Sequence, residues 1–319
     1  MRFTVDPWDP GYGTSDDGDL GESSAEVDTA VESARWAPVG VDRSVVAPRA
    51  VLFVDGVRRV DAQVWVDDTP DGAAAPGLCA SYAAGVVCCC DDEGAHVVQA
   101  HVRHGVFTTA EHADDVVTSA GRYQAHRTAS RADIAPMQLL SLALQRDLAD
   151  LELLAAGSAR ETGSADDLLV VDGPLHGRHH LPRAIGFVKT HRSEYLQPPE
   201  RTVVGELGAG ERTPVFRITG SWERYSWYLR LPCPPGSPWA GVVRIECAAD
   251  LPVEGAVLLA ALSQATLPRF ASTAYKDSRA PQNLYPIGGL ERQLRRRLGD
   301  PGLMYRALRR AAQGPLPVR

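Results

Sequence analysis

Leu52-Phe53-Val54-Asp55-Gly56 and Leu169-Val170-Val171-Asp172-Gly173 share one form: an apolar run, then an acid, then a glycine. Continuous apolar runs of this length read as buried central strands. Each is expected to end at its aspartate, with the glycine permitting a sharp exit or the close approach of a ligand. If the two strands are neighbours, both carboxylates project at the same sheet edge. Two such groups a few ångströms apart resist ionisation unless a cation lies between them. A hard ion that prefers oxygen, Mg²⁺ or Mn²⁺, answers that need, and a pair of them can serve phosphodiester hydrolysis. The bland alternative is that each Asp-Gly merely turns the chain.

Outward from these runs the pattern alternates in type. Val60, Ala62, Val64 and Val66 alternate as in a half-buried strand, and the intervening Gly-Val-Arg-Arg is short enough for a hairpin. Asp68–Gly77 reads as a loop, and strand runs follow at Ser81–Cys90 and Val97–Phe107. Ile134–Ala156 reads as a helix with Pro136 in its first turn and Gly157 as its stop. Its apolar stripe is Met137, Leu140, Leu144, Leu148, Leu151 and Ala155. Further strands are expected at Leu168–Val171, Ile185–Lys189, Val215–Thr219, Trp227–Leu231 and Val242–Cys247. Helices are expected at Leu258–Leu267, Leu290–Leu298 and Leu303–Ala312. The order of strands, helix and strand, then mixed elements, predicts an α/β fold of RNase H-like type. That is a mixed sheet flanked by helices, with an additional β-rich and C-terminal helical portion.

Composition bounds the class. The 319 residues are 44% hydrophobic and 23% charged, ordinary for a globular chain. No apolar run reaches the roughly 18 residues of a spanning helix, and the acidic N-terminus lacks a secretory pattern. A cytoplasmic location with no membrane contact is the expectation. The formal charge of −7 is carried by residues 1–43, which hold ten acids and three arginines. This stretch is expected to be flexible, with a short helix near Ser24–Arg35, order beginning at Ala47 and residues 44–319 forming one domain. Residues 288–319 hold eight arginines against two acids, and His176–Arg192 has four Lys/Arg, four His and no acid. Such basic regions suit phosphate binding.

The six cysteines form no C-x-x-C pair, so neither a zinc ribbon nor a disulfide framework is expected. Val86–Cys90 reads as a buried strand with cysteine as a small hydrophobe. His176, His179 and His180 have poor ligand spacing for zinc. The third acid should come from the intervening helix, where Glu152 and Asp147 flank the apolar stripe and the helical wheel does not choose between them. Lys189, after an apolar strand, could meet a phosphate. Tyr228 and Arg230 read equally as substrate contacts or as a core tyrosine and a surface arginine, and Arg178 is a basic loop residue near phosphate. Arg295-Arg296-Arg297 could engage DNA or an acidic protein face.

In this order the motifs resemble the NurA family of nucleases over most of residues 47–319. Leu52–Gly56 and Leu169–Leu175 are similar to its two Asp-Gly motifs, and Gly186–Thr190 to the lysine strand that follows. Tyr228–Leu231 and Val243–Glu246 resemble its later paired strands, and Tyr285-Pro286 with Leu290 its C-terminal signature. The resemblance implies an RNase H-like deoxyribonuclease with Mn²⁺ or Mg²⁺ held by Asp55, Glu152 and Asp172. It also implies a homodimer working on DNA with a HerA-type hexameric ATPase, in end resection or phage defence. The family commonly places a His or Asp shortly after the Tyr-Pro signature; this chain has Gly288-Gly289-Leu290-Glu291-Arg292 there, leaving Asp277 or Glu291 as substitutes. A catalytically reduced scaffold for the ATPase is the first alternative. An actin- or sugar-kinase-type ATP-binding protein is the second, disfavoured because bulky Val57-Arg58-Arg59 follows the first Asp-Gly and the chain has no P-loop.

Overall fold

The computed structural model describes residues 16–22, 25–67, 74–178, 180–234 and 236–313. In chain order the elements are β1 (Asp16–Glu22), β2 (Glu26–Asp28), β3 (Ala50–Asp67), β4 (Ala74–Cys90), β5 (Gly94–Thr108), β6 (Val116–Thr118), β7 (Gly121–Arg127), α1 (Pro136–Thr162) and β8 (Leu168–Asp172). There follow β9 (Ala184–Val188), β10 (His191–Glu194), α2 (Pro198–Glu206), β11 (Phe216–Thr219), β12 (Arg224–Arg230), β13 (Val242–Ala248), α3 (Val253–Thr266), α4 (Tyr285–Arg297) and α5 (Pro301–Ala312). The architecture is mixed α/β, a large mixed sheet with flanking helices. No helix among the described residues is long and apolar enough to cross a membrane. The chain divides into two compact units. The first comprises residues through Phe53, Val87–His96 and Gly163–Gly289; the second comprises Val54–Val86, Val97–Thr162 and everything from Leu290.

In the first unit the strands run in the order β2-β11-β12-β13-β9-β8, with the opening residues of β3 next to β8. β8 and β9 are parallel, and β9, β13, β12, β11 and β2 alternate antiparallel. β1 lies parallel beside β10. The near-continuous apolar character of β8, β9 and β13 matches burial on both faces. Trp227 on β12 is fully buried and donates its indole N–H to Ser263 Oγ on α3 at 3.0 Å, which satisfies its one polar atom. Val204, Leu207, Phe216, Ile218, Tyr228 and Val242 form a second apolar cluster around α2.

The second unit carries the order β3-β4-β5-β7-β6, with β7 parallel to β5 and antiparallel to β6. The stripe of α1 packs Leu140, Leu144, Leu148 and Leu151 on Leu78, Ala80, Tyr82 and Phe107. Met304 and Leu308 of α5 pack with Cys79, Val106 and Tyr123. Asp61 is buried here yet well partnered: it accepts from Arg59 Nε at 2.8 Å, Tyr123 OH at 2.9 Å and Ser81 Oγ. Ser81 Oγ also meets His104 Nδ1 at 2.7 Å.

Four expectations are corrected. β3 is one strand of 18 residues, so Asp55-Gly56 lies inside it and no hairpin follows. Val57 is buried, and the arginines beyond it have partners that hold the extended course. Arg58 donates to Ser141 Oγ at 3.2 Å, while Arg59 donates to the Gly299 and Leu298 carbonyls at 2.7 and 3.1 Å. Gly157 does not stop α1, which runs on to Thr162; a single glycine inside a helix costs about 1 kcal/mol, less than a long packed face supplies. β4 begins at Ala74, within the stretch expected to be loop; residues 68–73 lie outside the described residues. Finally, Ser24–Arg35 holds no helix among its described residues, which instead include β2 on the edge of β11. Order in the first unit therefore precedes Ala47.

Glu32 shows why this early segment matters. Its two oxygens take the Arg212 guanidinium at 2.8 Å each, and Oε2 also accepts from Val215 N at 2.6 Å. Arg212 is buried, so losing the carboxylate strands a charge. Glu32→Ala is expected to destabilise the protein by about 3–5 kcal/mol in denaturant titration. A loss below 1 kcal/mol would show that the pair does not anchor the segment.

Candidate functional site

In the first unit, Asp172 is the last residue of β8 and pairs in register with Phe187 of β9. The parallel register places Lys189, two residues further on, beside it: Lys189 Nζ is 2.6 Å from Asp172 Oδ2. The same ammonium donates to Asn283 Oδ1 at 2.9 Å, and Asn283 Nδ2 donates to Asp277 Oδ2 at 2.7 Å. Asp277 also accepts from Arg279 N at 2.8 Å. Asp277, expected as a metal ligand, thus acts in this unit through Asn283, which holds Lys189.

Gly173 leaves the strand at φ +101°, a conformation that disfavours any side chain. The loop then folds back over Gly186, where a Cβ would meet Leu175 N at 2.8 Å and Gly173 O at 2.9 Å. Glu246 fixes this loop from below. It is fully buried, accepts from Leu175 N at 2.7 Å and from Arg244 Nη1 at 2.7 Å, and lies 3.2 Å from Arg224 Nε. Burial alone would lower the Arg244 pKa, but Glu246 outweighs it and holds the guanidinium charged.

A cleft of about 570 Å³ opens over these groups, lined by Asp172, Lys189, His191, Tyr195, Arg244 and Arg279 among others. Its lining carries one carboxylate and three cations, and two of these cations are backed by carboxylates outside the lining, Arg244 by Glu246 at 2.7 Å and Arg279 by Asp277 at 3.8 Å. Arg244 and Arg279 had no sequence signal: strand arginines and loop arginines are common, and only the fold turns these two to the cleft. His191 is buried, with Nε2 3.2 Å from the Val242 carbonyl. Burial pushes its pKa down to about 4, so the ring is neutral near pH 7 and donates through Nε2.

Two expected substrate contacts serve packing instead. Tyr228 is buried between Phe216, stacked at 5.9 Å, and Trp239, edge-on at 5.6 Å; burial raises its hydroxyl to about 12. Arg230 spends its guanidinium on the carbonyls of Ala240, Gly205 and Pro238. Arg178 is buried in the loop after β8. His179 lies outside the described residues, and His176 meets Trp222 edge-on at 5.7 Å.

In the second unit, Asp55 is buried on β3 and its Oδ1 accepts from Gly56 N at 2.8 Å. The helical wheel left Glu152 and Asp147 equal, and the packing separates them. Asp147 accepts from Tyr82 OH and lies 3.5 Å from His126 Nδ1. Glu152, also buried, reaches β3: a methyl on Gly56 would fall 2.5 Å from Glu152 Oε1 and 2.7 Å from Leu148 Cδ1. A side chain at position 56 would displace the helix glutamate where it crosses the strand beside Asp55. Glu291 is half-buried on α4, and Arg295, Arg296, Arg297, Arg306, Arg309 and Arg310 are exposed on α4 and α5.

No protein-family model matches the chain, and no curated protein matches it.

Gly56→Ala must push Glu152 and Leu148 aside, so it is expected to cost about 1–3 kcal/mol of stability by thermal or denaturant unfolding. A neutral result would show that Glu152 does not press on this strand. For His191, the lowered pKa means the unfolded chain binds a proton that the folded chain refuses. The associated stability is present above about pH 6.5 and is lost as pH falls toward 4. Melting temperature followed over that range should fall less in His191→Gln than in wild type, the difference approaching roughly 2–3 kcal/mol. Parallel curves would contradict the assignment.

Proposed function

We propose that the protein is a divalent-metal-dependent deoxyribonuclease in which Asp172, in the cleft of the first unit, is a carboxylate that holds the ion. In the second unit Glu152 reaches Gly56 beside Asp55, and these are the two acids there that the NurA resemblance assigns to metal. The observation that carries this reading is the cleft in which the Asp172 carboxylate stands with Lys189, Arg244 and Arg279. Carboxylate oxygens beside guanidinium and ammonium groups suit a hard ion together with a phosphodiester. Asp277, a substitute ligand in the sequence reading, has its oxygens engaged by Asn283 and Arg279.

Mn²⁺ or Mg²⁺ held there would supply a water acidified for attack and a Lewis acid for the phosphate. The chain's own groups do the rest. Lys189 donates to a non-bridging phosphate oxygen as charge grows, held in place by Asn283. Arg244 and Arg279 position the backbone of the nucleic acid. The exposed arginines of α4 and α5 add sequence-independent attraction for DNA.

The RNase H-like reading is supported by the path of the chain. β3, β4 and β5 lie in sequence order in the sheet and come before α1 in the chain, and β8 then returns beside the start of β3. With the NurA resemblance, this supports a homodimer acting on DNA ends beside a HerA-type ATPase, in the cytoplasm. A second reading, a catalytically reduced scaffold for such an ATPase, is favoured by the Lys189 ammonium already resting on Asp172.

The full chain should cleave linear duplex or single-stranded DNA with Mn²⁺. Asp55→Ala and Asp172→Asn should abolish cleavage, and Lys189→Met should lower it about 10²-fold. Equal cleavage by Asp172→Asn sinks the nuclease reading. No cleavage by wild type, with no Mn²⁺ bound in calorimetry, favours the scaffold.

A further inference from the structure

β4 ends on Cys88-Cys89-Cys90, and the turn Asp91-Asp92-Glu93-Gly94 returns the chain into β5. Residues two apart on a strand point to the same face, so Cys88 and Cys90 share a side while Cys89 takes the other. The hairpin brings His96 to that side. One ring nitrogen of His96 and the Sγ atoms of Cys88 and Cys90 all lie within 4.8 Å of one another. We propose that this hairpin end binds one zinc ion through Cys88, Cys90 and His96.

The dimensions fit. Tetrahedral zinc, with bonds of about 2.3 Å to sulfur and 2.0 Å to nitrogen, sets its ligand atoms about 3.6–3.8 Å apart. Side-chain rotations of under about 1 Å reach that from the arrangement described. Two thiolates and an imidazole are also the soft and borderline donors that select zinc over Mg²⁺ or Mn²⁺.

The surroundings are those of a ligand set. Glu93 N donates to Cys90 Sγ at 3.4 Å, a contact that stabilises a thiolate. His96 Nδ1 stands 3.3 Å from the Gly94 carbonyl, which orients the ring as outer-shell partners of metal-bound histidines do. The Glu93 carboxylate, 3.6 Å from His96 Nε2, is at hand for the fourth position. The signal was hidden in the sequence because C-x-C is shorter than the usual zinc spacing and its histidine comes from the next strand. This site belongs wholly to the first unit and is separate from the proposed carboxylate centre.

Cobalt(II) titrated into the reduced full-length chain is the test, since sulfur ligation has an optical signature that oxygen ligation lacks. Wild type and Cys89→Ser should each bind about one Co²⁺ with near-ultraviolet thiolate-to-cobalt charge transfer and intense tetrahedral d–d bands, all displaced by zinc. Cys88→Ser/Cys90→Ser should lose the charge-transfer band. His96→Gln, a half-exposed position that leaves folding intact, should weaken binding by at least about tenfold, because even outer-shell partners contribute that much. Absence of the band in folded wild type, or its persistence in the double variant, overturns the proposal. Any weak Co²⁺ uptake by the carboxylates lacks this band and leaves the two sites distinguishable.

Discussion

Lys189 Nζ rests 2.6 Å from Asp172 Oδ2, with Asn283 and Asp277 behind it, and the cleft chemistry starts from that contact. An ammonium in direct contact neutralises the carboxylate without any ion. A divalent cation must therefore compete with Lys189 for Asp172, and a phosphate must compete with Asp172 for Lys189. The two competitions reinforce each other: a metal-bound phosphate offers both partners something better at once. On the proposed reading, the cleft would take both ligands together more readily than either one alone.

That balance depends on a rigid floor. Glu246 lies fully buried between Arg224 and Arg244, a carboxylate paired on both sides. With both guanidiniums and the Leu175 N–H as partners, it holds the loop after β8 where Asp172 needs it. Gly186 clears the space for that loop to pass. Rigidity here is a matter of satisfied polar groups, more than of apolar packing.

The sequence made the strand-end position of Asp172 legible because an apolar run, an acid and a glycine coincide with a real strand terminus. The identical pattern at Asp55 misled, since Gly56 serves the crossing of Glu152 and the strand runs on past it. The helix stripe was readable from period alone, whereas the choice between Glu152 and Asp147 needed the neighbours of each. Tyr228 and Arg230 illustrate the opposite limit: motif likeness pointed to substrate, and burial and carbonyl contacts assign them to packing. Arg244, Arg279 and His96 were silent because nothing local distinguishes them; only long-range pairing gives them company.

The buried cluster around Asp61 has a consequence for how this protein can vary. Arg59 through Nε, Ser81 and Tyr123 each place a donor on one carboxylate, and His104 joins through Ser81. Replacing a single member leaves the others desolvated and unsatisfied, and removing Arg59 also leaves the Gly299 and Leu298 carbonyls without their donor, so change at these five positions is expected to move as a block.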